Sequence, residues 1–267
     1  MGDLVQADFN TLKRKPEYRF TDNDPYPDDQ KPLIRQEKYE EYLYRRTLKR
    51  IKHEMRRSHD LKKDKAYSVA KRLFDVSAAA AAVAFLSPVL AGLAVTIKLS
   101  DGGQPIFSQV RLGKNGKRLR IYKFRSMRVD AEDMKKLLNP EQLRQFYEEY
   151  KVDNDPRITK IGKFIRKTSL DELPQLFNVL DGDMTLIGPR PIVPDETLHY
   201  KNDLKKLLSV KPGLTGYWQA YARNKASYKD GLRQAMELYY IDHRSLGLDL
   251  KILVKTIISV VKQEGAQ

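Results

Sequence analysis

An α+β fold, mostly helical and seated in a membrane, is what the sequence predicts. It comprises a membrane-re-entrant helix-break-helix and a small cytoplasmic domain with a β-hairpin and interfacial amphipathic helices. Three observations lead there. Residues Val76 to Ile97 carry no charge. Ser87-Pro88 interrupts that run near its middle, and both flanks are basic. Farther on, Asn115-Gly116 stands between two apolar segments, a strong short-range signal for a hairpin.

Taken in order, residues 1–30 are net acidic and carry Pro16, Pro25 and Pro27, a composition that predicts disorder and shows no secretory signal. Residues 33–66 read as a charged helix. The stretch EKYEEYLYRRTLKRIKHEMRR suits a solvated helix, a membrane-surface helix or the dimerisation arm of a homodimer.

The charge-free run, at 1.5 Å per residue, is about 33 Å long as a helix, enough to cross the hydrocarbon core. It is apolar on every face, which favours lipid over a soluble core. Pro88 has no N–H for the carbonyl of Ala84 and predicts a kink. Lys31 to Arg72 holds 15 Lys/Arg against 6 Asp/Glu, and Asp101 to Arg128 holds 8 against 1. The positive-inside rule therefore places both ends on the cytoplasmic side. A hairpin that enters and leaves one leaflet satisfies this, with Ser87 serving the freed backbone groups. A kinked single span with one basic segment outside is the competing topology.

In the remainder, IFSQV and RLRIYKF predict the hairpin over 105–124. Two helical pieces follow, at roughly 130–138 and 140–150, divided at Pro140. The C-terminal run RSLGLDLKILVKTIISVVKQ suits an amphipathic helix on the membrane or against the core. Trp218 reads as core or interface.

Composition limits the function. The chain has 50 Lys+Arg against 35 Asp+Glu, a formal +15, which implies an anionic partner: membrane surface, nucleic acid or phosphorylated substrate. Cysteine is absent, so there are no disulfides and no thiolate metal sites. The four histidines, His53, His59, His199 and His243, lack zinc-site spacing, and GKNGK (113–117) lacks P-loop spacing. A nucleic-acid partner is motivated by charge alone, and with no recognised DNA- or RNA-binding motif it is not expected.

The chemistry-bearing stretch is KTSLDELPQLFNVLDGDMTLIGPRP, Lys167 to Pro191. Asp171 and Glu172 are adjacent carboxylates at a predicted helix start. A structural reading is available, since Ser169-x-x-Glu172 matches a capping box and early acids complement the helix dipole. It conflicts with Pro174, which has no N–H for the carbonyl of Leu170. A start nearer Asp171 removes the conflict and puts that carboxylate at the positive helix end, ionised as a nucleophile must be. Arg190, between Pro189 and Pro191, is a guanidinium suited to bidentate phosphate binding. Lys123 and Arg125 alternate on one strand and would share a face.

Several motifs stand in a fixed order: KRLFD (71–75), the apolar run broken by Ser-Pro, PIFSQVRLGKNGK, YKFRSM, NDPRITKIGKFIRKTSLDELPQLFNVLDGDM, GPRP, KPGLTGYWQ and LDLKIL. From about Tyr67 to Val261 this closely resembles the bacterial sugar transferases, the monotopic phosphoglycosyl transferases. The resemblance implies an enzyme at the cytoplasmic face of a bacterial inner membrane. It implies transfer of sugar 1-phosphate from a UDP-sugar to polyprenol phosphate, releasing UMP, for capsule, exopolysaccharide or O-antigen assembly. It further implies Asp171 as nucleophile, Glu172 in proton handling, Mg²⁺ held by Asp171 and Glu172, and Lys123, Arg125, Arg166 and Arg190 around the phosphates. Arg111, Asp155 and Arg157 are weaker members of that set. The layout expected is an N-terminal extension (1–66), the membrane hairpin (67–100) and a catalytic domain (101–267), with an anionic phospholipid surface as a partner. A non-catalytic basic membrane-surface scaffold is the reading from another class. The identity of the sugar stays open.

Overall fold

The computed structural model describes residues 65–149, 152–222, 228 and 231–262. The expectations for 1–30 and for most of 33–66 lie outside these residues. Helix α1, Lys65–Asp101, is long and apolar enough to cross a membrane. Its helical backbone is uninterrupted, which corrects the expected break at Ser87-Pro88. The reason is local. The Ser87 hydroxyl donates to the Ala84 carbonyl at 2.9 Å, the very group that Pro88 cannot serve. The substitute bond carries the helix past the proline.

Both ends of α1 rest on the same domain, each by a different chemistry. Near the start, Lys71 pairs with Asp249 at 2.9 Å, and Arg72 donates to the carbonyls of Val179 and Leu180. Buried Asp75 accepts from the Thr185 hydroxyl at 2.5 Å and the Leu186 amide at 3.1 Å. Near the end, Ile97 packs with Phe124 and Ile165, flanked by Leu90, Leu93 and Ala94. Between these anchors, residues 80–92 include no buried side chain, and Phe85 is 85% exposed.

The hairpin forms as expected. Strand β1, Ile106–Leu112, pairs antiparallel with β2, Arg118–Phe124, in a register from Ile106–Phe124 to Leu112–Arg118. The turn needs positive φ at two successive residues, and Asn115 (58°) and Gly116 (71°) supply it. Its tip is docked, since the Asn115 amide donates to the Leu208 carbonyl at 2.7 Å. Two short helices follow, α2 (Met134–Leu137) and α3 (Pro140–Glu149), separated at Pro140. Helix α4, Lys160–Lys167, is capped by Thr159, whose hydroxyl accepts from the Gly162 amide.

Helix α5, Gln175–Asp181, lies along β2. Asn178 joins them, accepting from the Tyr122 amide at 3.1 Å and donating to the Arg120 carbonyl at 2.8 Å. Next come β3 (Thr185–Ile187), a 3₁₀ segment (Pro194–Asp203), α6 (Leu204–Leu207) and β4 (Gly213–Thr215). β3 and β4 form a parallel pair. The chain ends in α7 (Tyr217–Ala222), α8 (Leu232–His243) and α9 (Leu246–Val261). Helix α9 buries Asp249 and Ile252 while Leu250, Val254 and Ile257 remain exposed, so it packs on the core and keeps an outward apolar stripe.

Candidate active site

The acid pair sits on a tight turn ahead of α5. Ser169 takes a left-handed conformation (φ 58°), and Leu170–Glu172 form one 3₁₀ turn. Ser169 makes no side-chain cap, so the capping box does not form. The turn also resolves the proline conflict, because the Leu173 amide, not Pro174, serves the Leu170 carbonyl at 3.2 Å. A non-glycine residue with positive φ two residues before the acid pair is a place where strain is tolerated, as is common at functional sites.

Glu172 meets two of the expected cations. Its Oε1 accepts from Lys123 Nζ at 2.7 Å and lies 4.0 Å from Arg190 Nη1. These three side chains, with Arg111, Ile121, Gln175, Pro191, Leu214 and Gln219, line an open cleft. Gln219 contributes a buried carboxamide oxygen with no hydrogen-bond partner among the described residues. Asp171, partly exposed, is one residue away, and its charge acts on Arg166, which donates from Nε to the Ser126 hydroxyl at 2.8 Å. Burial lowers the Arg166 pKa, with Asp171 and Asp155 opposing.

Arg190 is presented by close backbone packing. Its loop follows β3, and Gly188 abuts β4. A Cβ on Gly213 would lie 2.1 Å from the Gly188 nitrogen, and one on Gly216 would lie 2.2 Å from the Gly188 oxygen. The Gly213 amide donates to the Pro189 carbonyl at 2.8 Å. Burial works against the Arg190 charge, yet Glu172, Glu196, Tyr228 and Glu237 outweigh it and raise its pKa.

Behind Arg190 lies a network not anticipated from sequence. Glu196, buried, accepts from Arg111 at 3.1 Å, the Val193 amide at 2.8 Å and the Tyr228 hydroxyl at 2.9 Å, and lies 3.5 Å from Arg233. Burial opposes its charge, but Arg111, Arg233 and Arg190 hold it below the usual carboxylate range. Arg233 is sandwiched between Trp218 and Tyr228, at 4.3 and 4.0 Å from the ring centroids. Arg111 thus lines the cleft while its guanidinium serves Glu196, and burial brings its pKa down to about 10.

The other expected site residues are placed differently. Arg125 follows the last residue of β2 and turns back to α1, pairing with Asp101 and donating to the carbonyls of Gln104 and Met127. It is not brought beside Lys123. Asp155 and Arg157 form a buried bidentate pair, with Nη2 to Oδ2 at 2.6 Å. Burial raises the Asp155 pKa, and the Arg157 hydrogen bonds outweigh it, leaving it lowered. Among the described residues no group of three or more His, Cys, Asp or Glu could hold a metal ion. Asp171 and Glu172 give two adjacent carboxylates, a number that Mg²⁺ can take when phosphate oxygens and water complete its shell, and one of them is engaged by Lys123.

A family profile described as "Bacterial sugar transferase" matches residues 66–263. The galactosyl transferase CpsE of Streptococcus agalactiae is 46% identical over 203 residues, 76% of this chain and 44% of that protein. The undecaprenyl-phosphate galactose phosphotransferase of Salmonella typhimurium is 43% identical over 199 residues, 73% of this chain and 41% of that protein. The exopolysaccharide production protein ExoY of Rhizobium meliloti is 39% identical over 201 residues, 74% of this chain and 88% of that protein. The chain spans less than half the length of the first two. The acid pair, Lys123 and Arg190 all fall within the matched residues, and the chain belongs to the bacterial sugar transferase family.

Proposed function

We propose that this chain transfers sugar 1-phosphate from a UDP-sugar to polyprenol phosphate at the cytoplasmic face of a bacterial inner membrane, in surface-polysaccharide assembly. The observation that carries the reading is the acid pair on one tight turn, with Glu172 at a cleft shared with Lys123 and Arg190. A carboxylate oxygen of Asp171 attacks the sugar-linked phosphorus. The bond from that phosphorus to the bridging oxygen breaks, and UMP leaves with the electron pair. A phosphate oxygen of the lipid then attacks the same phosphorus, the aspartyl–phosphorus bond breaks, and Asp171 is restored as a carboxylate. No water enters the balance, and splitting the transfer in two is covalent catalysis.

Arg190 and Lys123 bind the diphosphate, and Arg166 steadies Asp171 electrostatically. Mg²⁺ held by Asp171 and Glu172 would neutralise phosphate charge. Arg125 acts through position, tying the end of α1 to β2. Relatives named for galactose and for N-acetylgalactosamine transfer support a UDP-linked donor and an undecaprenyl phosphate acceptor.

The same reading places α1 as a re-entrant helix that bends at Ser87-Pro88 while its backbone stays helical. One charged domain grips both ends of the apolar run, at Asp75 and at Asp101, and a polar domain cannot lie on both sides of a bilayer. The lipid's phosphate would then reach the cleft without leaving the surface.

Incubation with UDP-sugars in the presence of polyprenol phosphate should release UMP with at least one donor. Without acceptor, mass spectrometry should find a phosphosugar on Asp171. No UMP from any UDP-sugar would leave the scaffold reading standing. For topology, single cysteines at positions 68 and 102 should label from the same face. Labelling from opposite faces establishes a through span.

A further inference from the structure

Arg190 lies between two prolines, so its amide is the one N–H in the Pro189–Pro191 segment. That amide does not join the β3–β4 pair. It donates to both carboxylate oxygens of Glu237 on α8, at 3.2 Å each. Glu237 is 1% exposed. Arg190 approaches it from the loop and Arg233 from its own helix, with Glu196 and Tyr200 on the 3₁₀ segment. Burying a carboxylate is costly, and burial pushes its pKa up to about 7. A neutral carbonyl would satisfy an amide without that cost, so the charge itself calls for a role.

The loop is held at two points. The Pro189 carbonyl is fixed to β4, and the Arg190 amide is fixed to Glu237. The second point is the one that sets where the Arg190 side chain begins. The guanidinium is thereby directed toward Glu172 and the cleft, 6.0 Å from the Trp218 ring. We propose that Glu237 is a positioning residue for Arg190, holding its backbone so that the guanidinium meets the donor diphosphate already oriented. This rests on the reading of Arg190 as a phosphate ligand. Pre-orientation of this kind lowers the ordering cost of binding.

Calorimetric binding of UDP to the detergent-solubilised full chain, at pH 8, tests it with a double-mutant cycle. Glu237→Leu removes both acceptors and should weaken UDP binding about tenfold. Glu237→Gln keeps one acceptor oxygen and should weaken it only about threefold. In an Arg190→Ala background either change should cost less than about twofold, because the group being positioned is gone. A merely structural Glu237 would cost the same in both backgrounds, and that result overturns the proposal. So does full affinity in Glu237→Leu. Should the leucine variant not fold, the glutamine cycle carries the same comparison. If Arg190→Ala alone leaves UDP affinity unchanged, the phosphate role of Arg190 fails first, and the positioning role falls with it.

Discussion

On the two sides of Arg190 the same residue types are used in opposite ways. In front, Glu172 and Lys123 line the cleft, and Asp171 is the neighbour of Glu172 on its turn, all partly exposed. Behind, Glu196, Arg111, Arg233 and Glu237 are enclosed, and Glu196 alone gathers two hydrogen bonds from neutral donors and two arginines. A charge whose partners all come from the fold has nothing left for a ligand. Its loss leaves buried charges uncompensated, which costs stability. A charge at an open cleft contributes little to stability and can meet a diphosphate. The difference predicts that front substitutions cost catalysis without stability, and rear substitutions cost stability first.

The largest effect should come from the front. Asp171→Asn removes the nucleophile and should lower turnover by roughly 10⁴-fold or more, about 5 kcal/mol or more of barrier. Its unfolding midpoint should stay within about 2 °C of the parent, because the side chain is partly exposed and outside the core. UMP release and a thermal melt on one preparation check both halves. Near-normal turnover would remove Asp171 from the chemistry and erase the contrast.

The rear should respond to pH. Glu237 has a folded-state pKa raised from 4.5 to about 7 by burial, with Arg233 and Arg190 opposing. Its folded form therefore holds the proton more tightly than the unfolded form. The associated stability is present below pH 4.5 and is lost as pH rises toward 7, on the order of 3 kcal/mol in total. Glu237→Gln cannot titrate and should lack that slope. Denaturant unfolding of both proteins between pH 4 and pH 8 should show the gap between them shifting in favour of glutamine as pH rises. A constant gap would mean that Glu237 has the same pKa folded and unfolded.

Much of the front was legible in sequence, and almost none of the rear. Asp171-Glu172 and Pro189-Arg190-Pro191 are compact signals, and Asn115-Gly116 fixes a turn through local backbone preference. Glu196, Arg233 and Glu237 carry no such mark, because a buried charge and a surface charge read alike until the chain has folded. β3 and β4 have three residues each, too short to show an alternating pattern. Two local rules were overridden by specific contacts. Alternation pairs Lys123 with Arg125, but β2 ends at Phe124 and Arg125 turns to Asp101. Pro88 predicts a broken helix, but the Ser87 hydroxyl serves the Ala84 carbonyl and the helix continues.

The smallest and sharpest test concerns Arg190, which belongs to both sides. Its amide is bound by Glu237 behind, and its guanidinium faces Glu172 in front at 4.0 Å. Arg190→Lys leaves the amide and the flanking prolines untouched, so the rear hold survives and the unfolding midpoint should barely move. In front it keeps a positive charge but loses the planar fork that grips two phosphate oxygens at once. The donor kcat/KM should fall about tenfold, roughly 1.4 kcal/mol, the scale of one charge-assisted hydrogen bond. A fall in kcat/KM without a change in melting assigns the guanidinium to the front. A drop in melting with donor kinetics intact would move Arg190 to the structural side and leave Lys123 as the cation beside the acid pair.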